Sequence, residues 1–215
     1  MFIDDDDEVP ANLIECHLKN LDEYRSDVSS GAALEVGAGP LPENFRYVKA
    51  SDVFPTNNTL IRREVLCRSG LFDLAYDRMA RADGDLGTRI YLGGAFMAYD
   101  PGISILHHHA PQGGLRTHKA RVITYASSRQ KLLHRHLPSA SELYLGRRYF
   151  TQIQVHEALW MWALGTLSVH GSIYHKLLKI IIGIVLLPDS LRRIRKRYRQ
   201  AIQMLNEYPQ IPTIE

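Results

Sequence analysis

Four consecutive aspartates near the start of the chain, at residues 4–7, are the group best suited to carry chemistry. Adjacent carboxylates repel each other, so a folded protein keeps them together where a cation or solvent offsets the repulsion. Mg²⁺ and Mn²⁺ favour carboxylate oxygens and also bind phosphate oxygens. At an extended strand end, residues two apart share a face, which predicts Asp4 and Asp6 as a ligand pair. The alternative is that these acids only precede a helix and interact with its dipole.

The histidine triplet His107-His108-His109 is the second group with metal-binding chemistry. On a strand its first and third side chains would share a face, and a neutral imidazole can complete a carboxylate-rich metal shell. Three ordinary surface or core histidines are the alternative. In the loop that follows, Gly113 and Gly114 precede Arg116, whose guanidinium could contact phosphate through two hydrogen bonds.

Asp83 and Asp85 lie on either side of a glycine at the start of a predicted helix. Asp85 and Arg89 are four residues apart, so the two could form an ion pair along that helix. Asp83, just before the helix, would then be available as a base for a substrate hydroxyl. From spacing alone, a structural and a catalytic role both remain open for this segment.

Composition narrows the classes of protein to consider. The chain has 215 residues, of which 45% are hydrophobic and 23% charged, as expected for a globular domain with a sizeable core. A net charge of +3 is too small to favour nucleic acid as a partner. Cys16 and Cys67 are far apart in the sequence and fit a reducing cytoplasm.

Residue patterns predict the elements that must position these groups. Periodicity predicts a helix over residues 10–24 and another over 86–92. Glycine and small residues predict a surface loop over 29–42. Weak alternation predicts a strand over 45–53, and residues 95–106 read as a strand, a turn and a second strand that ends at the histidines. Residues 1–3 are expected to be the end of a buried strand.

The rest of the chain, from about Thr117, has a helical pattern with breaks at Pro138 and near residues 165–172. Apolar runs at 158–169 and 177–188 are shorter than the ~18–20 residues of a membrane-spanning helix. Arginines and a lysine cluster between Arg192 and Arg199. This combination is typical of a helix at an anionic membrane surface. A buried helical hairpin with the cations on its solvated side is the alternative.

Taken in order, the motifs resemble family 2 glycosyltransferases of the GT-A fold. The resemblance covers about residues 1–116 and rests on an apolar lead into the aspartates, on Asn58-Thr59-Leu60-Ile61-Arg62-Arg63, on Gly70-Leu71-Phe72-Asp73, on Asp83-Gly84-Asp85-Leu86 with Arg89, and on a strand that ends in histidine. It implies an α/β fold, with a partial GT-A (Rossmann-like) sheet in residues 1–116 and an all-helical, basic tail in 117–215.

The same resemblance implies a set of roles. Asp4 and Asp6 would stand in the metal-binding acid motif and hold Mg²⁺ or Mn²⁺ against the diphosphate of a nucleotide-sugar donor. His107 or His109 would make a further metal or diphosphate contact, and Arg116 would contact the donor diphosphate. The acceptor would be a glycan or a lipid-linked molecule.

On the acceptor side, the resemblance implies that Asp83 is the general base of an inverting displacement. Asp85, Asn58 and Arg89 would bind the acceptor or support the fold. Ala82 stands where many relatives have a second acid. The nucleotide-binding half of such an enzyme precedes the acid motif, so we expect this chain to correspond to a carboxyl-terminal part that is inactive by itself.

Two other classes stay open on the sequence alone. One is a metal-dependent hydrolase that uses the aspartates and histidines around a metal-bound water. The other is a non-catalytic module that binds a membrane surface. For the leading interpretation we expect a cytoplasmic protein attached peripherally to the inner face of the membrane.

Overall fold

The computed structural model describes residues 1–37, 39–108, 133, 135–165, 167 and 172–214. Its contacts divide the chain into two compact units. The first comprises Met1–Asp77, Ala82–Thr117 and Gln210–Glu215, and the second comprises Arg78–Arg81 and His118–Pro209. The first unit is an α/β sheet structure and the second is helical where it is described, which confirms the predicted fold class of an α/β sheet followed by helices.

A mixed sheet of five strands organises the described part of the first unit. The strands are β1 (Asp7–Glu8), β2 (Val28–Glu35), β3 (Lys49–Ala50), β4 (Thr59–Ile61) and β5 (Met97–His107). Their order is β1-β5-β2-β4, and β3 also pairs with β5. The pair β2–β5 is parallel, whereas β1, β3 and β4 pair antiparallel with their neighbours. Strand β5 therefore connects the N-terminal aspartates to the rest of the sheet.

Strand β2 corrects the prediction of a surface loop over residues 29–42. Its first five residues are buried, and it lies between β4 and β5. The residues are small because the neighbours approach closely: a Cβ at Gly31 would overlap the carbonyl oxygen of Ile103 and the side-chain amide of Asn58. Small residues that suggested a loop instead allow dense packing in the sheet interior.

Strand β5 is continuous, whereas the sequence predicted two strands joined by a turn over residues 95–106. Gly31 pairs with Asp100 and the next residue, Ala32, pairs with Ser104, so the residues between Asp100 and Ser104 form a bulge. The Asp100 carboxylate accepts a hydrogen bond from Gly102 N (2.7 Å) at this point. Proline and glycine thus mark a bulge inside one strand.

Two other strand predictions were wrong in extent. Residues 1–3 contribute only an isolated bridge, between Phe2 and Thr59. Of residues 45–53 only Lys49–Ala50 is a strand, preceded by a 3₁₀ turn at Glu43–Phe45. Phe2 is held by side-chain packing, since its ring makes edge contacts with Phe54 and Phe72.

Helices cover both faces of the sheet. The first unit contains α1 (Leu13–Glu23), α2 (Arg63–Ser69) and α3 (Ala82–Leu92), with a second 3₁₀ turn at Leu74–Tyr76. Leu13 of α1 packs with Ile103, Ile105 and Ala33, whereas Val28 of β2 packs with residues of α2 and α3. Val28 and Ala33 are an odd number of residues apart on β2, so these two clusters lie on opposite faces.

The second unit contains α4 (Ala140–Tyr149), α5 (Gln152–Gly165) and α6 (Ile173–Glu207). Helix α4 begins just after Pro138 with a capping box, in which Ser139 Oγ accepts from Glu142 N (3.1 Å) and Glu142 Oε2 accepts from Ser139 N (2.8 Å). These bounds agree with the predicted breaks. Among the described helices, none combines the length and the apolar character needed to cross a membrane.

Candidate functional site

The N-terminal aspartates form a turn rather than the predicted extended strand end. Asp7 N donates a hydrogen bond to Asp4 O (3.4 Å), and Asp4 N donates to the Asp7 carboxylate at Oδ2 (2.9 Å). The turn places residues three apart side by side. Asp4 is therefore adjacent to Asp7, whereas strand alternation predicted that Asp4 shares a face with Asp6.

Pairing of β1 with β5 brings His107 to this turn. Asp7 and His107 are direct partners across the two strands. The Asp7 Oδ1 and His107 Nδ1 atoms are 2.8 Å apart, and Asp6 Oδ1 lies 3.5 Å from the same nitrogen. The Asp7 side chain is fully buried, and that of His107 is 13% exposed. The sheet thus joins groups that are one hundred residues apart in the sequence.

Asp4, Asp7 and His107 together have the spacing of a metal site. One ligand atom from each lies within 4.8 Å of the other two. Two carboxylates and an imidazole are a donor set that suits divalent cations such as Mn²⁺, so these residues fit the metal implied by the sequence resemblance.

The charge within the cluster also favours a bound cation. The pKa of Asp4 is raised by desolvation, although much of the residue remains exposed, and further by the carboxylates of Asp7 and Asp6; His107 opposes this shift. Excess negative charge is therefore concentrated at the turn, where a bound cation would relieve it.

Of the four predicted metal ligands, Asp4 and His107 belong to this cluster. Asp6 lies at its edge, and His109 lies outside the described residues, as does the predicted phosphate contact Arg116. Sequence reasoning missed Asp7, because alternation assigned it to the opposite face. A turn signal in four consecutive aspartates, which favour turns, would have pointed to the pairing of Asp4 with Asp7.

Beside this cluster, Glu8 of β1 and His108, the residue that follows β5, form a separate pair. Glu8 Oε2 lies 3.0 Å from His108 Nε2, and both side chains are at least half exposed. This pair has the same chemistry as Asp7 and His107 in a solvated setting, which makes it a natural control for experiments on the buried pair.

The predicted base, Asp83, lies in the first turn of α3 instead of just before it, because the helix begins at Ala82. The residue is exposed to solvent. Its Oδ1 atom accepts a hydrogen bond from Gly84 N (2.8 Å), which orients the carboxylate at the start of the helix.

Asp85 and Arg89 form the predicted ion pair on α3, with Asp85 Oδ2 3.0 Å from Arg89 Nε. The Asp85 side chain is fully buried, and that of Arg89 is 9% exposed. The remaining guanidinium nitrogens donate to the carbonyl oxygens of Ser69 and of Leu71, the latter at 2.6 Å. The pair therefore fastens α3 to the end of α2, which supports the structural alternative for these two residues.

Asn58 is completely buried in the sheet. Its Nδ2 group donates to Ala32 O (3.1 Å) and to Ile103 O (3.0 Å), the carbonyls next to the β5 bulge. Its Oδ1 atom accepts from His17 Nε2 (2.9 Å). The amide thus completes the hydrogen bonding where the bulge interrupts the ladder.

This network also fixes the state of His17. Because Asn58 Oδ1 accepts, Nε2 carries the proton, and His17 Nδ1 is then the acceptor for the Ser29 hydroxyl (2.8 Å). Burial, the largest influence, lowers the pKa of His17, so the imidazole is neutral. The Ser29, His17 and Asn58 chain consists of buried groups that satisfy one another.

Comparisons with known proteins give no family assignment. No family model matches the chain, and no curated protein matches it. Two structures of S. aureus TarS 1–349, one in complex with UDP-GlcNAc, align with 93% of the chain at 14% identity. Their TM-scores are 0.47 and 0.44, and the chain spans 67% and 66% of their length.

A further structure of S. aureus TarS aligns with 94% of the chain at 12% identity and a TM-score of 0.42. The chain spans 39% of that structure. With TM-scores below 0.5 and such low identity, these likenesses define neither a fold family nor an activity for this chain.

Proposed function

We propose that this chain takes part in glycosyl transfer, in which a sugar passes from a nucleotide-sugar to a hydroxyl of a glycan or lipid-linked acceptor with inversion at the anomeric carbon. The observation that carries the proposal is the convergence of Asp4 and Asp7 with His107 at one end of the sheet. The ordered motifs of the sequence supply the reaction class, because they resemble family 2 glycosyltransferases. The whole enzyme's substrates are part of the proposal.

Asp4, Asp7 and His107 would hold Mg²⁺ or Mn²⁺ in this proposal. When bound, such an ion stabilises the negative charge of a leaving diphosphate. Asp7 has a second task, since its buried carboxylate accepts from Asp4 N and lies 2.8 Å from the His107 ring, and so it fixes both neighbours in place.

Asp83 would act on the acceptor. As the acceptor oxygen forms its bond to the anomeric carbon, the bond from that carbon to the diphosphate oxygen breaks and the nucleoside diphosphate leaves with the electron pair. The acceptor proton passes to the Asp83 carboxylate. Asp85 and Arg89 would act as positioning residues, since their buried pair anchors the helix that presents Asp83.

Mn²⁺ titration followed by calorimetry tests the metal site. We expect Asp7→Asn with His107→Gln to weaken Mn²⁺ binding by more than about tenfold. Loss of a group that only supports a metal ligand already weakens metal binding by about tenfold or more, and these two residues are proposed as ligands. The matched control is Glu8→Gln with His108→Gln, which removes the same chemistry from the neighbouring exposed pair. Equal loss of Mn²⁺ affinity in the two double variants, or no binding by the native chain, contradicts the assignment.

Product analysis tests the reaction class with a panel of nucleotide-sugars that includes UDP-GlcNAc. In a preparation that turns over, Asp83→Asn should abolish sugar transfer while leaving donor binding intact. Unchanged turnover would remove Asp83 as the base. Mn²⁺-dependent release of nucleotide or phosphate at the same rate with and without acceptors would instead favour the metal-dependent hydrolase.

A further inference from the structure

Helix α6 has one face that the fold leaves exposed. At roughly 100° per residue, the buried positions of α6 fall on one side of the helix. These are Lys179, Gly183, Ser190, Ile194, Ala201 and Met204. The opposite side carries what we call the apolar–basic stripe. Its apolar half is Leu177, Ile181, Ile184 and Val185, and its basic half is Arg192, Arg195, Lys196 and Arg199.

The apolar half of the stripe is open to solvent. Ile181 is 59% exposed and Val185 is 71% exposed, and Leu177 and Ile184 are also more than half exposed. Single exposed apolar residues are ordinary, but a contiguous row on one helix face is typical of a surface that binds another protein or a membrane. Helix α5 shows the same character, with Trp160 and Met161 both largely exposed.

The basic half continues the same face without interruption. Arg192, Arg195, Lys196 and Arg199 are exposed, and together with Leu187 and Leu191 they line one shallow depression. Nearby arginines off the stripe are instead engaged in the fold: Arg193 pairs with Asp189, and Arg197 donates to the carbonyls of Leu137 and Pro138. Cations and apolar side chains are thus combined on one exposed face of α6, opposite the face that carries its buried residues.

We propose that the apolar–basic stripe binds the surface of an anionic lipid bilayer, with α6 lying along it. The apolar half would enter the boundary between headgroups and acyl chains, and the four cations would contact headgroup phosphates. This proposal is independent of the glycosyl-transfer proposal.

Two other occupants fit the face less well. A second copy packed symmetrically along the whole stripe would place the cations against like charges in a parallel arrangement, or against the apolar half in an antiparallel one, and both cost free energy. Nucleic acid would match the cations and leave the apolar half exposed to water. An anionic bilayer complements both halves, since it offers an apolar boundary and negatively charged headgroups.

Co-sedimentation of the full chain with vesicles tests the proposal. Vesicles of phosphatidylcholine alone are compared with vesicles that also contain phosphatidylglycerol, at low and high salt. We expect binding only to the anionic vesicles, with strong weakening by salt. Arg192→Gln with Arg195→Gln and Arg199→Gln should lower the partition coefficient onto anionic vesicles about 100-fold, since each basic residue at an anionic surface raises that coefficient about fivefold.

The matched control is Lys19→Gln with Arg63→Gln and Arg68→Gln, which removes three exposed cations from the other unit. It should change partition less than about twofold if binding is localised to the stripe. A separate variant, Ile181→Ser with Val185→Ser, keeps every charge and should also weaken binding, because the apolar contribution is lost. All these positions are exposed, so circular dichroism should show unchanged folding.

Four results would each overturn the proposal. They are salt-insensitive binding by the native chain, equal weakening in the control triple variant, a stripe-dependent dimer in sedimentation velocity without lipid, and tighter binding to duplex DNA than to anionic vesicles. The salt dependence of the native chain needs no variant, so the proposal remains testable even if one variant folds poorly.

Discussion

Asn58→Ala should destabilise the sheet far more than an ordinary polar-to-alanine change. The native amide makes three hydrogen bonds, to Ala32 O, to Ile103 O and from His17 Nε2, and the residue has no exposed surface. Truncation to alanine breaks all three hydrogen bonds at once. It leaves two carbonyls and one imidazole N–H unpaired in the interior of the sheet.

The magnitude follows from counting these groups. Each buried polar group left without a partner costs about 1–3 kcal/mol. A water that enters the vacated space would satisfy part of the requirement. We therefore expect Asn58→Ala to lower the free energy of unfolding by about 3–5 kcal/mol, a large part of the roughly 5–15 kcal/mol that a typical domain possesses.

The measurement should report on the sheet unit itself. Trp160 and Trp162 both lie in the helical unit, so tryptophan fluorescence is the wrong probe. Urea unfolding followed by far-ultraviolet circular dichroism, together with amide exchange of β2, is suitable. Asn57→Ala, the same change at the half-buried neighbour, should cost less than about 1 kcal/mol.

An Asn58→Ala loss below about 1 kcal/mol, or protection of the β2 amides equal to that of the native chain, would refute this reasoning. It would mean that the amide does not complete the ladder at the β5 bulge. The acceptor-binding alternative for Asn58 would then regain weight.

Two further predictions concern buried charge and pH. Asp85→Asn should lower the free energy of unfolding by about 3–5 kcal/mol, because it leaves the largely buried Arg89 guanidinium without its carboxylate. The control Asp22→Asn, which breaks the exposed pair with Arg62, should lower it by less than about 1 kcal/mol in the same urea unfolding experiment. Similar losses in the two variants would contradict this prediction. His17 has a lowered pKa in the folded state, so below its usual value near 6.5 the unfolded chain binds more protons and stability falls with falling pH. Urea unfolding between neutral and mildly acidic pH should show this loss, and His17→Gln should reduce its slope; an unchanged slope would argue against a neutral, buried imidazole.

Local signals in the sequence were enough to locate several elements. The period of Leu13, His17 and Leu21 predicted α1, and the four-residue spacing of Asp85 and Arg89 predicted their ion pair. Pro138 correctly marked a break before α4. These features depend on residues within one or two helical turns, where side-chain period and spacing are sufficient.

Strand β2 shows where such local reasoning failed. Ser29, Ser30 and Gly31 resemble a loop by composition, yet they are buried because β4, β5 and Asn58 press against them. The reason for glycine at residue 31 lies in the Ile103 carbonyl and the Asn58 amide, which are distant in the sequence. No pattern within the segment could indicate those neighbours.

The candidate metal site likewise has one part that the sequence predicts and one part that it does not. The sequence by itself determined the chemistry, since clustered aspartates and a histidine at a strand end are divalent-ion ligands wherever they converge. Only the tertiary structure decided which of them converge. A turn joined Asp7 to Asp4, and the pairing of β1 with β5 set His107 against Asp7. Strand register is fixed by contacts across the whole sheet, so the ligand set could not be read from spacing alone.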